Sequence, residues 1–130
     1  MKRIYLLAAF TALLLATSCD FETRDAKMEH AAATVTDFYM HLKNHEYDSA
    51  MRCSDLDEKT APRMSELFGM LAMEIHDFRV DSVTLDPDDT MAHVHITVRT
   101  SNAFADDTVE TTPSIPCVKT RDGWRVNFDF

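Results

Sequence analysis

Two histidines that lie two positions apart are the first candidates for chemistry in this sequence. His93 and His95 fall in an alternating stretch typical of a β-strand, so their imidazoles share one face and could chelate a metal ion. A metal site needs one or two further ligands, and the nearest positions on that face offer only Thr97 and Arg99. We therefore favour a polar strand face exposed to solvent, with a metal site at His93 and His95 as the alternative.

A carboxylate and two further imidazoles recur at four-residue steps, as Asp37, His41 and His45. They lie near the end of a predicted helix, where the helix dipole and a carboxylate one turn back favour a protonated histidine. These local electrostatic interactions explain the three residues without a catalytic role. A catalytic or metal-binding role is the alternative. The sequence has no nucleophile motif, glycine-rich phosphate loop or zinc-type cysteine spacing, so we predict no catalytic residue and no cofactor.

The start of the chain, from Met1 to Cys19, resembles a bacterial lipoprotein signal. Lys2 and Arg3 form a basic start, an apolar run follows from Ile4 to Ala16, and small residues precede Cys19. The apolar run is shorter than the roughly 20 residues that span a bilayer. The resemblance implies that the signal is cleaved before Cys19, whose sulfur carries a lipid. Ordinary secretion and an uncleaved anchor are the alternatives.

The part of the chain that follows Cys19 is long enough for one domain with a modest core. It holds 11 of the 13 basic residues and all 22 acidic ones, which gives a formal charge of −11. This charge argues against nucleic acid and anionic lipid surfaces as partners and favours a role in solubility over a specific cationic ligand. In an exported protein Cys53 and Cys117 could form a disulfide, but we favour two free thiols, because free cysteine is among the commonest buried small residues.

The chain divides into a signal peptide (1–18), a lipid-anchored tether (19–27) and one domain (28–130). Apolar residues at helical spacing predict a helix over 27–43, ended by Asn44, and a short helix over 46–53. A third helix starts with Thr60 as N-cap and Pro62 in its first turn. The predicted buried stripe of this third helix consists of Met64, Leu67, Phe68, Leu71 and Ile75.

After His76 apolar residues recur at every second position, and this alternation predicts four strands. The first changes phase near Asp81 and Ser82, which predicts a bulge there. The second buries alternate residues from Ala92 to Val98, and the third (108–119) is interrupted by prolines. Asp122-Gly123 predicts a tight turn before the last strand. The apolar face of that last strand consists of Trp124, Val126, Phe128 and Phe130.

This order predicts an α+β domain, with three N-terminal helices packed on a curved four-stranded antiparallel sheet. Three stretches, at 37–40, 45–50 and 122–126, make the sequence similar to small bacterial lipoproteins of the nuclear-transport-factor-two-like (cystatin-like, ketosteroid-isomerase-like) superfamily. The resemblance implies a cone-shaped domain with an apolar pocket. No catalytic residue of the superfamily's isomerases or dehydratases can be carried over to a matching position.

Aromatic side chains and a few polar groups are the candidates for lining such a pocket: Phe38, Tyr39, Tyr47, Phe68, Ser82 and Trp124. The core-facing positions of the predicted helices and strands contain no Asp, Glu or His. We therefore expect a non-catalytic binding or assembly domain, lipid-anchored in the bacterial cell envelope on the periplasmic face or the cell surface. Its expected partner is an envelope protein or a small apolar ligand. The alternative is an isomerase-type or dehydratase-type enzyme acting on a small apolar molecule.

Overall fold

The structure is a computed structural model that describes residues 22–102 and 104–128, and these residues form three helices and five strands. The predicted signal peptide, Cys19 and Phe130 lie outside this part of the chain. No helix within it is long and apolar enough to cross a membrane. In chain order the elements are α1 (Arg24–Lys43), α2 (Tyr47–Arg52), α3 (Thr60–Leu71), β1 (Met73–Leu85), β2 (Met91–Asn102), β3 (Ala105–Thr111), β4 (Ser114–Thr120) and β5 (Gly123–Val126).

Helix α1 carries the apolar stripe that the sequence predicts. It begins at Arg24, because the Thr23 side chain caps it by accepting a hydrogen bond from the Ala26 amide at 3.1 Å. The helix therefore begins three residues before its predicted start at 27, within the predicted tether. The helix ends before Asn44, as predicted. Its buried residues, one or two turns apart on a single face, are Ala31, Val35, Phe38 and Leu42.

Helix α2 and the start of α3 follow the sequence prediction closely. Helix α2 lies inside the predicted range and buries Ala50 and Met51. Helix α3 begins at Thr60, but the capping group is the carboxylate of Asp57, whose Oδ1 accepts a hydrogen bond from the Thr60 amide at 2.7 Å. Thr60 is thus the first residue of the helix and not its N-cap, and Asp57, three residues earlier, supplies the capping group.

The end of α3 departs from the prediction. The helix stops at Leu71 because Ala72 takes a left-handed backbone conformation with φ of 51°, and Ile75 is a buried residue of β1 instead. The side chains of Leu67 and Leu71 are 46% and 49% exposed, so the predicted buried stripe is wrong at these positions. Helix α3 packs mainly on α2 rather than on the sheet, which leaves one side of it uncovered. The stripe residues that are partly buried against the core are Met64 and Phe68.

The described part of the sheet has five strands rather than the predicted four. The neighbouring strands run in the order β1, β2, β4, β5, and β3 also pairs with β2. The predicted third strand is split because Pro113 lies in a break between β3 and β4, and its carbonyl accepts a hydrogen bond from the Ile96 amide. Strand β3 pairs with residues 98–102 of β2, and β4 pairs with residues 91–95. The long strand β2 thus pairs with both β3 and β4, the two halves of the predicted third strand.

Strand β1 starts at Met73, earlier than predicted, and pairs with β2 along its length. The register shifts between Val80 and Ser82, which confirms the bulge predicted near Asp81 and Ser82. A second shift lies between Ile75 and Asp77. The bulges allow the apolar residues on both sides of the phase change to pack against the core: Phe78, Val80, Val83 and Leu85.

The β4–β5 hairpin closes the domain against α1 and the segment after α2. The Val126 amide donates to the Cys53 carbonyl at 2.7 Å, and the Asp55 amide donates to the Val126 carbonyl at 2.9 Å. Trp124 and Val126 are buried, as predicted for the last strand. The main apolar core joins one face of α1, part of α2 and the inner face of the sheet, and includes Val35, Phe38, Leu42, Met51, Val94, Ile96 and Trp124.

Candidate functional site

An apolar cavity of about 370 Å³ lies between the C-terminal half of α1, α3, the first residues of β1 and the open end of the β4–β5 hairpin. Its size falls within the range of small-molecule pockets. Helical spacing brings Phe38, Tyr39 and Leu42 of α1 to it, and strand β4 supplies Ile115 and Pro116. The remaining lining residues are Phe68, Met73, Val126, Asn127 and Phe128.

Aromatic rings form one side of this cavity. The rings of Phe38 and Tyr39 meet edge-on with their centroids 5.5 Å apart, and the ring of Phe38 also meets that of Phe128 at 5.9 Å. The Tyr39 ring further contacts Phe78 of β1 at 5.7 Å. The two contacts of Phe38 are edge-to-face, and such pairs are favourable and fix the orientation of the rings. This side of the cavity is therefore pre-formed.

The wall made by Asn127 and Phe128 is held by one carboxylate. The Asn127 side-chain amide donates to Asp55 Oδ2 at 2.7 Å, and the Phe128 backbone amide donates to Asp55 Oδ1 at 3.1 Å. The Asn127 backbone amide donates to the Pro116 carbonyl at 2.8 Å. Bonds to a carboxylate are stronger than bonds between neutral groups, so Asp55 fixes the chain after β5 beside the cavity. Only a polar link was visible at this position in the sequence.

The cavity offers little for acid–base chemistry. Among the described residues that line it, Tyr39 is the only ionisable one, and burial raises the pKa of Tyr39 to about 12. The phenol is therefore neutral at physiological pH. The remaining polar side chain, Asn127, uses its amide nitrogen to bind Asp55. This lining suits the binding of an apolar group rather than proton transfer.

The structure separates the pocket residues that the sequence grouped together. Phe38, Tyr39 and Phe68 line the apolar cavity, whereas Tyr47 lines a cavity of about 430 Å³ beside Gly69 and Trp124 lines one of about 340 Å³. Ser82 is exposed beside the β1 bulge and lines none of these cavities. The lining residues that the sequence did not indicate include Met73, Ile115 and Pro116. The sequence pattern placed Ile115 and Pro116 in a strand. It did not show that the open end of the β4–β5 hairpin lies next to α3.

Asp37 and His41 line the cavity of about 340 Å³ together with Cys53, while His45 lies elsewhere. Burial, followed by the negative charge of Asp37, raises the pKa of the Cys53 thiol, so it stays protonated and is a weak nucleophile. The thiol donates a long hydrogen bond to the Ser49 carbonyl at 3.7 Å. These contacts do not form an activated thiol–imidazole pair.

His41 and His45 each bind a neighbouring side chain. His41 Nδ1 lies 3.2 Å from Glu46 Oε1, an ion pair when the imidazole is protonated. His45 follows the end of α1 with a φ of 60°, and its Nδ1 lies 2.8 Å from the Tyr47 hydroxyl. The four-residue spacing with Asp37 therefore does not place His45 on the helix. Local contacts explain both histidines.

The pair on β2 points outward from the core, as the alternation predicts. His93 Nε2 lies 3.3 Å from Asp86 Oδ1, and His95 Nε2 lies 3.4 Å from the Thr84 hydroxyl. The opposite face of the strand, from Ala92 to Val98, is buried. Within the part of the chain that the structure describes, no group of three or more His, Cys, Asp or Glu side chains could hold a metal ion. The predicted alternation of β2 is thus confirmed.

The structure has Cys53 and Cys117 as free thiols, the unbridged alternative of the two that the sequence left open. Cys117 is fully buried in β4, and burial raises its pKa to about 12. The thiol therefore packs as a small apolar group.

A larger cleft of about 630 Å³ lies where α2, the segment before α3 and the β4–β5 turn meet. Side chains of both signs line it, among them Asp48, Arg52, Asp57, Glu58 and Arg125. Several are exposed, which is typical of a solvated surface groove. The smaller apolar cavity has the lining that small-molecule sites share, so it is the better candidate.

No protein-family model and no curated protein matches the sequence. Among solved structures, the chain is similar to a ketosteroid isomerase-like protein from Erwinia carotovora atroseptica, with 8% identity and a TM-score of 0.59 over 77% of this chain and 90% of that one. A protein of the NTF2-like family from Streptomyces avermitilis matches with 14% identity and a TM-score of 0.55, over 80% and 93% of the two chains. A domain of unknown function with a cystatin-like fold from Nostoc punctiforme matches with 12% identity and a TM-score of 0.54, over 73% and 69%.

These similarities show the fold. The described domain has the nuclear-transport-factor-two-like, or cystatin-like, architecture that the resemblance implied. The similar structures include a protein named after an isomerase as well as a domain of unknown function. The fold therefore does not determine the activity, which has to be inferred from the residues that line the cavity.

Proposed function

We propose that this chain is a lipid-anchored binding module of the bacterial cell envelope, whose apolar cavity takes a small apolar molecule without catalysing its conversion. The anchor rests on the signal-like segment that ends at Ser18 and on Cys19. The binding role rests on the cavity between α1, α3 and the open end of the β4–β5 hairpin. Both parts are needed, because the anchor gives the location and the cavity gives the activity.

The observation that carries the binding role is the composition of the lining. Nine of the ten lining residues present aliphatic, aromatic or thioether groups, and the tenth is Asn127. Apolar burial stabilises a complex by about 25 cal/mol per Å², so a ligand that buries roughly 200 Å² of apolar surface gains about 5 kcal/mol before the costs of association. The Tyr39 hydroxyl and the Asn127 carbonyl are the polar groups available to orient it.

The enzyme alternative is less well supported. An isomerase or dehydratase needs a carboxylate, imidazole or comparable group beside the bound substrate. In the described lining, Tyr39 with its pKa of about 12 is the only candidate. The carboxylate of Asp55 binds Asn127 and Phe128 behind the wall.

A protein partner is the second candidate, and the exposed side of α3 supports it. Leu67, Met70 and Leu71 are 46%, 73% and 49% exposed next to the cavity residue Phe68. Exposed apolar side chains that lie together often mark interaction sites. This face borders the cavity, so an experiment on ligand binding has to distinguish the two.

We expect Ile115→Trp to weaken the binding of the neutral apolar dye N-phenyl-1-naphthylamine by at least about tenfold, because the indole fills the cavity and the loss corresponds to about 1.4 kcal/mol. Val109→Trp is the matched control, since Val109 is an exposed residue of β3 that does not line the cavity. Dye fluorescence titration of the folded domain measures both. Met73→Trp serves as a second filling variant if Ile115→Trp does not fold.

Unchanged dye affinity in both filling variants would refute the cavity as the binding site. If dye binding survives Ile115→Trp but is lost in Met70→Glu, the dye binds to the exposed side of α3 and not in the cavity. Circular dichroism of each variant shows whether the fold is retained.

A further inference from the structure

Glu22 joins the start of the described chain to the β4–β5 hairpin. Its carboxylate is only 12% exposed and accepts a hydrogen bond from Lys119 Nζ at 2.8 Å. The Trp124 indole Nε1 lies 3.3 Å from each of its two oxygens, and His30 Nδ1 contacts it as well. One acidic side chain is thus bound by three donors that come from α1, β4 and β5.

These donors keep Glu22 ionised. Burial acts to raise its pKa, but the hydrogen bonds from Lys119, His30 and Trp124 outweigh burial, and the net result is a lowered pKa. A buried carboxylate is costly unless such bonds satisfy it. The contact is therefore a specific attachment of this residue to the hairpin.

A second set of ion pairs fixes the same end of the domain. Arg24 binds Asp89 in the turn between β1 and β2, and Lys27 Nζ lies 3.8 Å from Asp89 Oδ2. The Lys119 amide donates to the Thr90 carbonyl at 3.1 Å, which joins this turn to the hairpin. The start of α1, the β1–β2 turn and Lys119 near the end of β4 therefore form one end of the domain, called here the anchor end.

The cavity lies at the other end. Its α1 residues, from Phe38 to Leu42, are 14 to 18 residues beyond Arg24, which places them roughly 20–27 Å along the helix axis. Its hairpin residues, such as Ile115 and Val126, lie at the open end of the hairpin, away from the Lys119–Trp124 pair.

We infer that the anchor end faces the lipid headgroups, so that the domain stands on the membrane in one orientation with its cavity directed away from the bilayer. This inference rests on the proposed lipid on Cys19. Glu22 follows Cys19 by three positions, and a chain of that length reaches at most about 11 Å. Since Glu22 is attached to the hairpin, the lipid cannot lie far from the anchor end.

Charge supports the upright orientation. The chain beyond Cys19 carries a formal charge of −11, so the headgroups of anionic lipids repel the domain as a whole. Contact through one end brings less of the domain near those headgroups than contact along its side. The partner of the anchor end is therefore a lipid headgroup layer, reached through the covalent anchor rather than by charge attraction.

The test uses lipidated protein in vesicles that contain a headgroup-labelled energy acceptor, with a donor dye on Asp88→Cys or on Lys43→Cys. Position 88 adjoins Asp89 at the anchor end, and position 43 is the last residue of α1. Both positions are exposed. The background is Cys53→Ser, and Cys117 is buried. We expect roughly twofold more efficient transfer from position 88 than from position 43, because Asp89 binds the first residue of α1, Lys43 is the last, and a helix of this length extends about 30 Å.

Glu22→Ala is expected to reduce this difference, whereas Glu29→Ala, which removes an exposed carboxylate of α1, is expected to leave it unchanged. Equal transfer from both positions in the protein with intact Glu22 would overturn the orientation. The mass of each protein reports the lipid independently, so equal transfer with the lipid present refutes the orientation alone, and a missing lipid refutes the anchor.

Discussion

Trp124→Ala is expected to lower the free energy of unfolding by about 3–5 kcal/mol, the usual cost of removing a large aromatic side chain from a core. Trp124 is 3% exposed, and its ring packs in the cluster that joins β5 to α1. Its carbonyl accepts a hydrogen bond from the Thr34 hydroxyl at 3.1 Å, and its indole contacts Glu22. The loss is a large share of the roughly 5–15 kcal/mol that stabilises a typical domain. Urea and thermal unfolding of the soluble domain measure it.

The matched control is the double variant His93→Ala with His95→Ala. Both side chains lie on the outer face of β2 and are partly exposed, so their removal is expected to cost less than about 1 kcal/mol together. The opposite ranking, with Trp124 dispensable and the histidines critical, would refute the core assignment. It would also restore a site on the outer face of β2.

Cys19→Ser is expected to abolish lipid attachment entirely and to leave the signal peptide uncleaved. The serine hydroxyl does not replace the thiol that accepts the lipid, and the resemblance implies that lipid transfer precedes cleavage. Each buried CH₂ of a lipid chain contributes about 0.8 kcal/mol to anchoring, so the lipid is the dominant attraction between the mature chain and the membrane. Incorporation of a labelled fatty acid and the size of the protein in whole cells measure the effect.

The control for this change is Cys53→Ser, the same chemical replacement within the folded domain. We expect Cys53→Ser to incorporate the labelled fatty acid and to be cleaved as the natural protein is. A Cys19→Ser protein that is cleaved normally, or that takes up the label as the natural protein does, would refute the lipoprotein interpretation and leave ordinary secretion or an uncleaved anchor. The binding cavity would then stand without the proposed attachment.

Periodicity predicted most of the fold, because burial on one face leaves a regular spacing in the sequence. The stripe of α1 and the alternation of β2 give clear periods, and each of these elements packs against the core along one side. The Asp122-Gly123 turn was predictable because Gly123 takes a φ of 114°, which other residues rarely adopt. Even the bulge near Ser82 left a visible change of phase.

The end of α3 could not be predicted, because Leu71 and Ile75 are four residues apart and fit a helical stripe equally well. Ala72 ends the helix with a left-handed conformation, yet alanine carries no sequence signal for such a position. The exposure of Leu67 follows from the packing of α3 mainly on α2, which is a tertiary feature. The division of the third predicted strand at Pro113 was partly visible, but its two pairings with β2 were not.

The candidate site was predicted only in part for a similar reason. The aromatic residues Phe38, Tyr39 and Phe68 were recognisable from the stripes of two helices. Ile115 reaches the cavity because of the hairpin's position, and Asp55 holds the cavity wall from a link with no periodic pattern. Glu22 lay in the predicted tether, and its contact with Lys119 spans 97 residues of sequence. Contacts of this range depend on the assembled fold.

The central claim is that a lipid on Cys19 anchors a module that binds an apolar molecule, and the most direct test is the intact mass of protein purified from membranes without reduction. The account predicts a chain that begins at Cys19 and carries added lipid mass, together with a small apolar species that is released on unfolding. Alkylation after unfolding should add two groups, because Cys53 and Cys117 are free. A chain without lipid, or one that begins at another residue, would contradict the account.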